Sequence, residues 1–351
     1  MEFNKRLIVI SNKAIEYSFY FLAIFTPLVF SPANYELFEF PKMILVYSGA
    51  ALVLSLWAIK ILITGKLNFA PTPLFWPILL FLISQILSTI FSIDKITSIA
   101  GYYSRFNGGL LSTIAYIVLF FTAVSNLTKN QGLTLIFLFV ISGLISSIWG
   151  IPSHFGLDPT CKILTGFWTS KCWAISFDPT LRIFSTFGQP NWMAGFLAMA
   201  ILIMFGFSQA SKNFRFAIFG IFVNSVLFAA FLLTNSRSAS LALLVSLLGF
   251  LTILIFLKFR QKLEINFASI GATLIIFAIL TLFFGQNLLG RVREVKVEQV
   301  AISPQSQTQA QTPPQTSGPT ESGQIRLIVW KGAIEIFKNY SDIACEILVE
   351  S

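Results

Sequence analysis

Nine stretches of this chain run almost without charged side chains, at residues 14–30, 43–64, 73–91, 109–126, 132–149, 192–209, 216–234, 239–257 and 267–285. The hydrocarbon layer of a bilayer is roughly 30 Å thick and takes about 20 apolar residues per helical crossing, so each stretch is long enough to span it. Inside hydrocarbon every backbone amide must find its partner within the structure, which leaves only helices and closed barrels. The stretches show neither the alternation of a barrel strand nor a clean polar stripe. The fold class that follows is an all-α polytopic membrane protein of about nine transmembrane helices. Only 11% of the residues are charged, against about 25% in a soluble domain, and a larger core does not explain that difference.

Lys5, Arg6 and Lys13 precede the first apolar stretch, as in a secretory signal. The stretch continues into Pro27 and Ser31-Pro32-Ala33 without a small-x-small cleavage site, so it is read as a retained helix. With the N-terminus in the cytoplasm, the inner segments carry Lys5, Arg6 and Lys13, then Lys60 and Lys66, then Lys129, Lys212 and Arg215, and finally Lys258, Arg260 and Lys262. Every inner loop is then short and basic, as the positive-inside rule requires, and all long loops lie outside. The formal net charge of +9 is thus mostly topological and gives no reason to expect nucleic acid as a partner.

Arg105, Arg182, Arg237 and Arg326 fall on the outer side, where that rule disfavours them. A polyanion bound at the outer face would account for them. The acids support the same reading: Asp94, Asp158 and Asp178 lie in outer loops and no carboxylate sits deep in the bilayer. Ion-coupled transporters usually bury ionisable residues near the midplane between repeated halves, and no internal repeat is visible here.

The outer loop at about 150–190 holds Pro152, His154, Asp158, Pro159, Trp168, Trp173, Asp178 and Pro179, enough punctuation and aromatic surface for an ordered lid. Interfacial anchoring is the plainer reading of the tryptophans. Cys161 and Cys172 share the loop, and an oxidising exterior permits a disulfide between them, although sequence does not give their separation. His154, the only histidine, has no nucleophile or acid partner nearby in sequence and is read as a positioning or solvated side chain.

Residues 1–285 form the transmembrane domain and 286–351 an extracytoplasmic segment. Within that segment the Gln-, Ser-, Thr- and Pro-rich stretch 301–323 is expected to be a disordered insertion. At 325–340, Leu327, Ile328, Ala333, Ile334 and Phe337 alternate with Arg326, Lys331, Glu335 and Lys338, which reads as an amphipathic helix outside the membrane.

Three motifs together resemble the O-antigen ligase and polymerase family of bacterial envelope proteins. They are Arg182-Ile-Phe-Ser-Thr-Phe-Gly-Gln-Pro-Asn191 leading into a span, Thr234-Asn-Ser-Arg237-Ser-Ala-Ser240 at an outer helix end, and Arg326-Leu-Ile-Val-Trp330 after a long outer loop. Glu39-Phe-Pro-Lys42 and Gly101-Tyr-Tyr-Ser-Arg105-Phe-Asn-Gly108 are similar to stretches in the family's earlier spans. The resemblance implies a GT-C-like helical glycosyltransferase in the bacterial cytoplasmic membrane. It would transfer a glycan from undecaprenyl diphosphate to a lipid or glycan acceptor at the outer face, without metal or cofactor. Members of the family continue past the third motif with an outer-loop histidine and further spans. This chain runs Ser341 to Ser351 and stops, so a C-terminally truncated member is expected.

On this reading Arg237, Arg326 and Arg182 are the catalytic candidates. A diphosphate gains negative charge as it leaves, and planar guanidinium forks match its oxygens better than ammonium groups do. Arg105, Thr186, Gln189, Asn191 and Trp330 are the substrate-binding candidates, although helix capping around Pro190 explains Gln189 and Asn191 about as well. A snorkelling role is the alternative for each arginine. A non-catalytic protein that binds or flips a polyprenyl glycolipid would need the same outer cations. Sequence does not choose among ligase, polymerase and protein glycosyltransferase.

Overall fold

The computed structural model describes residues 2–67, 69–173, 177–211, 213–261, 267–285 and 329–335. Each of the nine apolar stretches is a helix: α1 (Glu2–Leu28), α2 (Glu39–Thr64), α3 (Phe75–Ile90), α5 (Leu110–Asn126), α6 (Lys129–His154), α8 (Pro190–Ala210), α9 (Phe214–Leu233), α10 (Arg237–Gln261) and α11 (Phe267–Phe284). The short helices α4 (Lys95–Ala100) and α7 (Pro159–Thr165) lie in the connecting segments. There are no strands among the described residues, and the chain is a polytopic membrane protein. Seven of the nine helices are long and apolar enough to cross a bilayer. The other two, α3 and α5, have 16 and 17 residues, or about 24–26 Å at 1.5 Å per residue, a mismatch that local thinning and interfacial flanks absorb.

Helix ends follow local chemistry. Thr128 and Gln131 form a reciprocal capping box that starts α6. Asn213 caps α9 through the Arg215 amide. Pro190 takes the first position of α8, where a missing N–H costs nothing.

The centre of the bundle is α8 against α9, where Leu197, Ile201, Met204, Val223 and Leu227 are fully buried. Helix α6 packs on both through a face of small residues, Ser142, Gly143, Ser146, Ser147 and Gly150. A Cβ on Gly150 would stand 2.9 Å from the Ser185 Cβ, so only glycine admits the 182–189 segment this close. Small faces of this kind let helices approach in lipid, where no hydrophobic force drives them together. Helix α1 packs against α2 and α6, and α2 against α5.

The chain divides into two compact units, Met1–Leu288 and Leu289–Ser351. In the second, residues 329–335 are helical, with Trp330 and Ile334 exposed. The stretch 301–323 and Arg326 lie outside the described residues.

Candidate functional site

Hydrogen bonds sort the connections of the first unit into two ends. At one end Lys60 donates to Asn126 at 2.9 Å, Gln131 to Glu16 at 2.7 Å, and the Ala70 amide to Ser125 at 3.3 Å. At the other, Lys42 Nζ donates to the carbonyls of Val29 and Thr186, and the Ile183 amide donates to Leu233 O at 3.1 Å. Loops 29–38, 91–109, 155–189 and 234–236 all belong to this second end.

Its centre is the turn between α9 and α10. Asn235 takes a left-handed backbone, φ 50°, which ends α9 and lets α10 begin two residues later at Arg237. Asparagine tolerates that conformation better than most residues. The turn is stitched to the 181–191 segment: Asn235 Nδ2 donates to Leu181 O at 2.8 Å, and Arg182 Nε donates to Thr234 O at 3.0 Å. Arg182 Nη2 and Ser236 Oγ both donate to Asn191 Oδ1 at 2.9 Å. Asn191, in the first turn of α8, thereby fixes the residue beside Arg237. Arg237 itself is half-buried, and among the described residues no hydrogen bond or ion pair engages it. A cation in the first turn of a helix meets the positive end of the helix dipole, so its position favours an anion twice over.

Arg105 reaches the same region from the α4–α5 connection. Gly101 and Gly108 have φ of 86° and 85°, and Phe106 has φ 53°, folding the loop back on itself. Tyr47 anchors it by donating to Phe106 O at 2.6 Å. The Arg105 guanidinium lies 3.3 Å from Glu39 Oε2, an ion pair without hydrogen-bond alignment, and 5.5 Å from the ring centroid of Trp192. Asn191 and Trp192, adjacent in α8, therefore link the Arg237 turn to the Arg105 loop.

Asp158, which is 2% exposed, ties α7 to Trp173. Its carboxylate caps α7 through the Thr160 amide at 2.7 Å and accepts from Trp173 Nε1 at 2.8 Å. Cys161 and Cys172 are joined in a disulfide with a Cα separation of 5.7 Å. In the α4 connection, the exposed Asp94 accepts from the amide and hydroxyl of Thr97, which hold its carboxyl below the usual carboxylate range.

Residues 222–341 match the family model described as O-antigen ligase, a stretch that begins in α9 and takes in the Arg237 turn, α10, α11, Arg326 and Trp330. Over that third of the chain it is similar to the O-antigen ligases. No curated protein and no solved structure matches it. An O-antigen ligase domain is of the glycosyl-transferring kind that serves polysaccharide biosynthesis.

The expected site residues take different positions. Arg182 and Asn191 share one network with Ser236, the residue before Arg237, and Arg105 lies near it against Trp192. Gln189 precedes α8 and is half-buried beside Trp192. Thr186 is closed to a ligand: it is 2% exposed and its hydroxyl donates to Pro27 O at 2.8 Å. Trp330 is 70% exposed on the 329–335 helix. Sequence reasoning assigned no role to Lys42, Glu39, Trp192 or Ser236. The signal available for the first two was Glu39-Phe-Pro-Lys42 itself, a carboxylate and a cation three residues apart where a helix starts.

Proposed function

We propose that this O-antigen ligase chain transfers a glycan from undecaprenyl diphosphate to a lipid or glycan acceptor at the outer face of the bacterial cytoplasmic membrane, with its N-terminus in the cytoplasm. The observation that carries the reading is the half-buried Arg237, uncommitted among the described residues and set at the start of α10 by a turn that Asn191, Arg182 and Asn235 hold rigid. The disulfide favours an oxidising environment for the 155–189 segment, in agreement with the basic loops at the opposite end.

In the reaction the acceptor oxygen bonds to the anomeric carbon as the bond from that carbon to the diphosphate oxygen breaks. The electron pair stays on the diphosphate and the hydroxyl proton passes to water. Arg237 stabilises the charge gathering on the leaving oxygen. Arg182 has two donors committed to Thr234 and Asn191 and serves as the strut that places Arg237. Arg105, partly offset by Glu39, lies toward the glycan.

Loss of the gene tests this reading in the source cells. Glycan attached to acceptor should fall while lipid-linked glycan accumulates in a form that an impermeant glycosidase, added to cells with a permeabilised outer envelope, can cleave. Accumulation on the protected, cytoplasmic side would identify a flipping protein and overturn the transferase reading.

A further inference from the structure

At the start of α8, against Gln189 and Trp192, lies an open cleft of about 310 Å³, at the small end of the roughly 300–1,000 Å³ range of ligand pockets. Its floor is a packed aromatic cluster: Trp173 lies 5.2 Å from Phe184 and 5.8 Å from Phe38, and Phe38 and Phe184 are 7% and 3% exposed. Gly188 closes the base with φ 74°, and a Cβ there would fall 2.5 Å from the Phe38 ring. The walls are rings left open: Tyr35, Phe177 and Trp192 are 98%, 53% and 41% exposed. Interfacial aromatics that only anchor a protein face lipid, whereas these line a cavity together with Glu36, Gln189 and Arg105.

The charges say what the cleft can take. Among the described residues Arg105 is its one lining cation, and that cation is paired with Glu39 at 3.3 Å, while Glu36 adds a carboxylate to the wall. The cleft therefore offers no net positive charge to a diphosphate or to an acidic sugar. Its rings and amide instead suit a ligand with apolar faces and a hydroxyl-bearing edge, the two surfaces of a neutral pyranose. We infer that this cleft binds one or two neutral sugar rings, stacked on Trp192 and Phe177 with hydroxyls toward Glu36 and Gln189. Trp192 follows Asn191, whose side chain accepts from Ser236, the neighbour of Arg237, so adjacent residues of α8 connect the sugar subsite to the proposed diphosphate subsite. This inference deepens the proposed function and rests on it for the identity of the lipid.

The test uses the purified protein in phosphatidylglycerol–phosphatidylethanolamine nanodiscs and three probes: undecaprenyl diphosphate bearing a neutral hexose–N-acetylhexosamine oligosaccharide, bare undecaprenyl diphosphate, and the free oligosaccharide. Trp192→Ala and Phe177→Ala should each weaken binding of the glycosylated lipid by about tenfold, the scale of a lost aromatic stack, and leave the bare lipid unaffected. Weakening confined to the free oligosaccharide would support the same cleft with the acceptor as its occupant. Variants that bind all three probes as the wild type does, or that lose both lipids equally, would overturn the inference. Failure of the wild type to bind either lipid, while the free sugar still depends on Phe177, would remove the proposed donor and leave the sugar cleft standing. Phe177 is half-exposed and outside the α-helices, so Phe177→Ala keeps the test valid even if Trp192→Ala disturbs Arg105.

Discussion

Arg237→Lys is expected to lower glycan transfer by about tenfold to a hundredfold, and Arg237→Ala by more, with membrane insertion and protein level unchanged. Lysine keeps the charge but loses the planar fork, so contact with two phosphate oxygens becomes contact with one. A hydrogen bond to a charged group contributes roughly 1.5–3 kcal/mol, and about 1.4 kcal/mol corresponds to tenfold in rate. Folding should not suffer, because the guanidinium makes no hydrogen bond or ion pair among the described residues. Headgroup snorkelling makes the opposite forecast, since lysine snorkels as well as arginine does. Initial transfer rates at matched protein levels decide the matter: a lysine variant as fast as the wild type leaves Arg237 an interfacial anchor.

Asn191→Ala should cost both stability and transfer. Its Oδ1 accepts from Arg182 Nη2 and Ser236 Oγ, each at 2.9 Å, and the part-buried donors would lose their acceptor together. One charged and one neutral hydrogen bond amount to about 2–4 kcal/mol, enough to loosen the turn that presents Arg237 and slow transfer at least about tenfold. Asn191→Asp separates the two effects. It preserves both bonds and pairs with Arg182, so thermal stability in detergent should stay near that of the wild type, while transfer still falls because a carboxylate now repels the diphosphate. Wild-type melting temperature and rate in Asn191→Ala would show that this hub positions nothing.

The spans were legible because an apolar run of about 20 residues has few other uses. Their ends were less so. The first apolar stretch starts at residue 14 but α1 starts at Glu2, and α2 begins at Glu39, ahead of the stretch that starts at 43. Helices continue into the interface wherever polar side chains can reach water, so hydropathy underestimates them. That shift matters at α10, whose first residue is Arg237: the cation belongs to the helix rather than to the turn before it. Helices α4 and α7 went unread, although Asp94 and Asp158 are the kind of N-cap that marks a helix start.

At the site, residue types were readable and commitments were not. Nothing local says that the Thr186 hydroxyl is spent on Pro27, 159 residues earlier, or that Arg182 is engaged by Thr234 and Asn191. The disulfide was left open for the same reason, since spacing does not give the 5.7 Å Cα separation. The aromatic cleft is assembled from residues 35–38, 105, 173, 177, 184, 188, 189 and 192, which only the fold brings together.

The most direct measurement of the central claim follows both products of a single turnover. Purified protein in sealed vesicles, given undecaprenyl-diphosphate-linked oligosaccharide and an acceptor glycolipid on the side that carries the 155–189 segment, should release one undecaprenyl diphosphate for each new glycosidic bond. Movement of the intact glycolipid across the vesicle wall without new bond or free diphosphate would contradict the assignment of this chain as a glycosyltransferase.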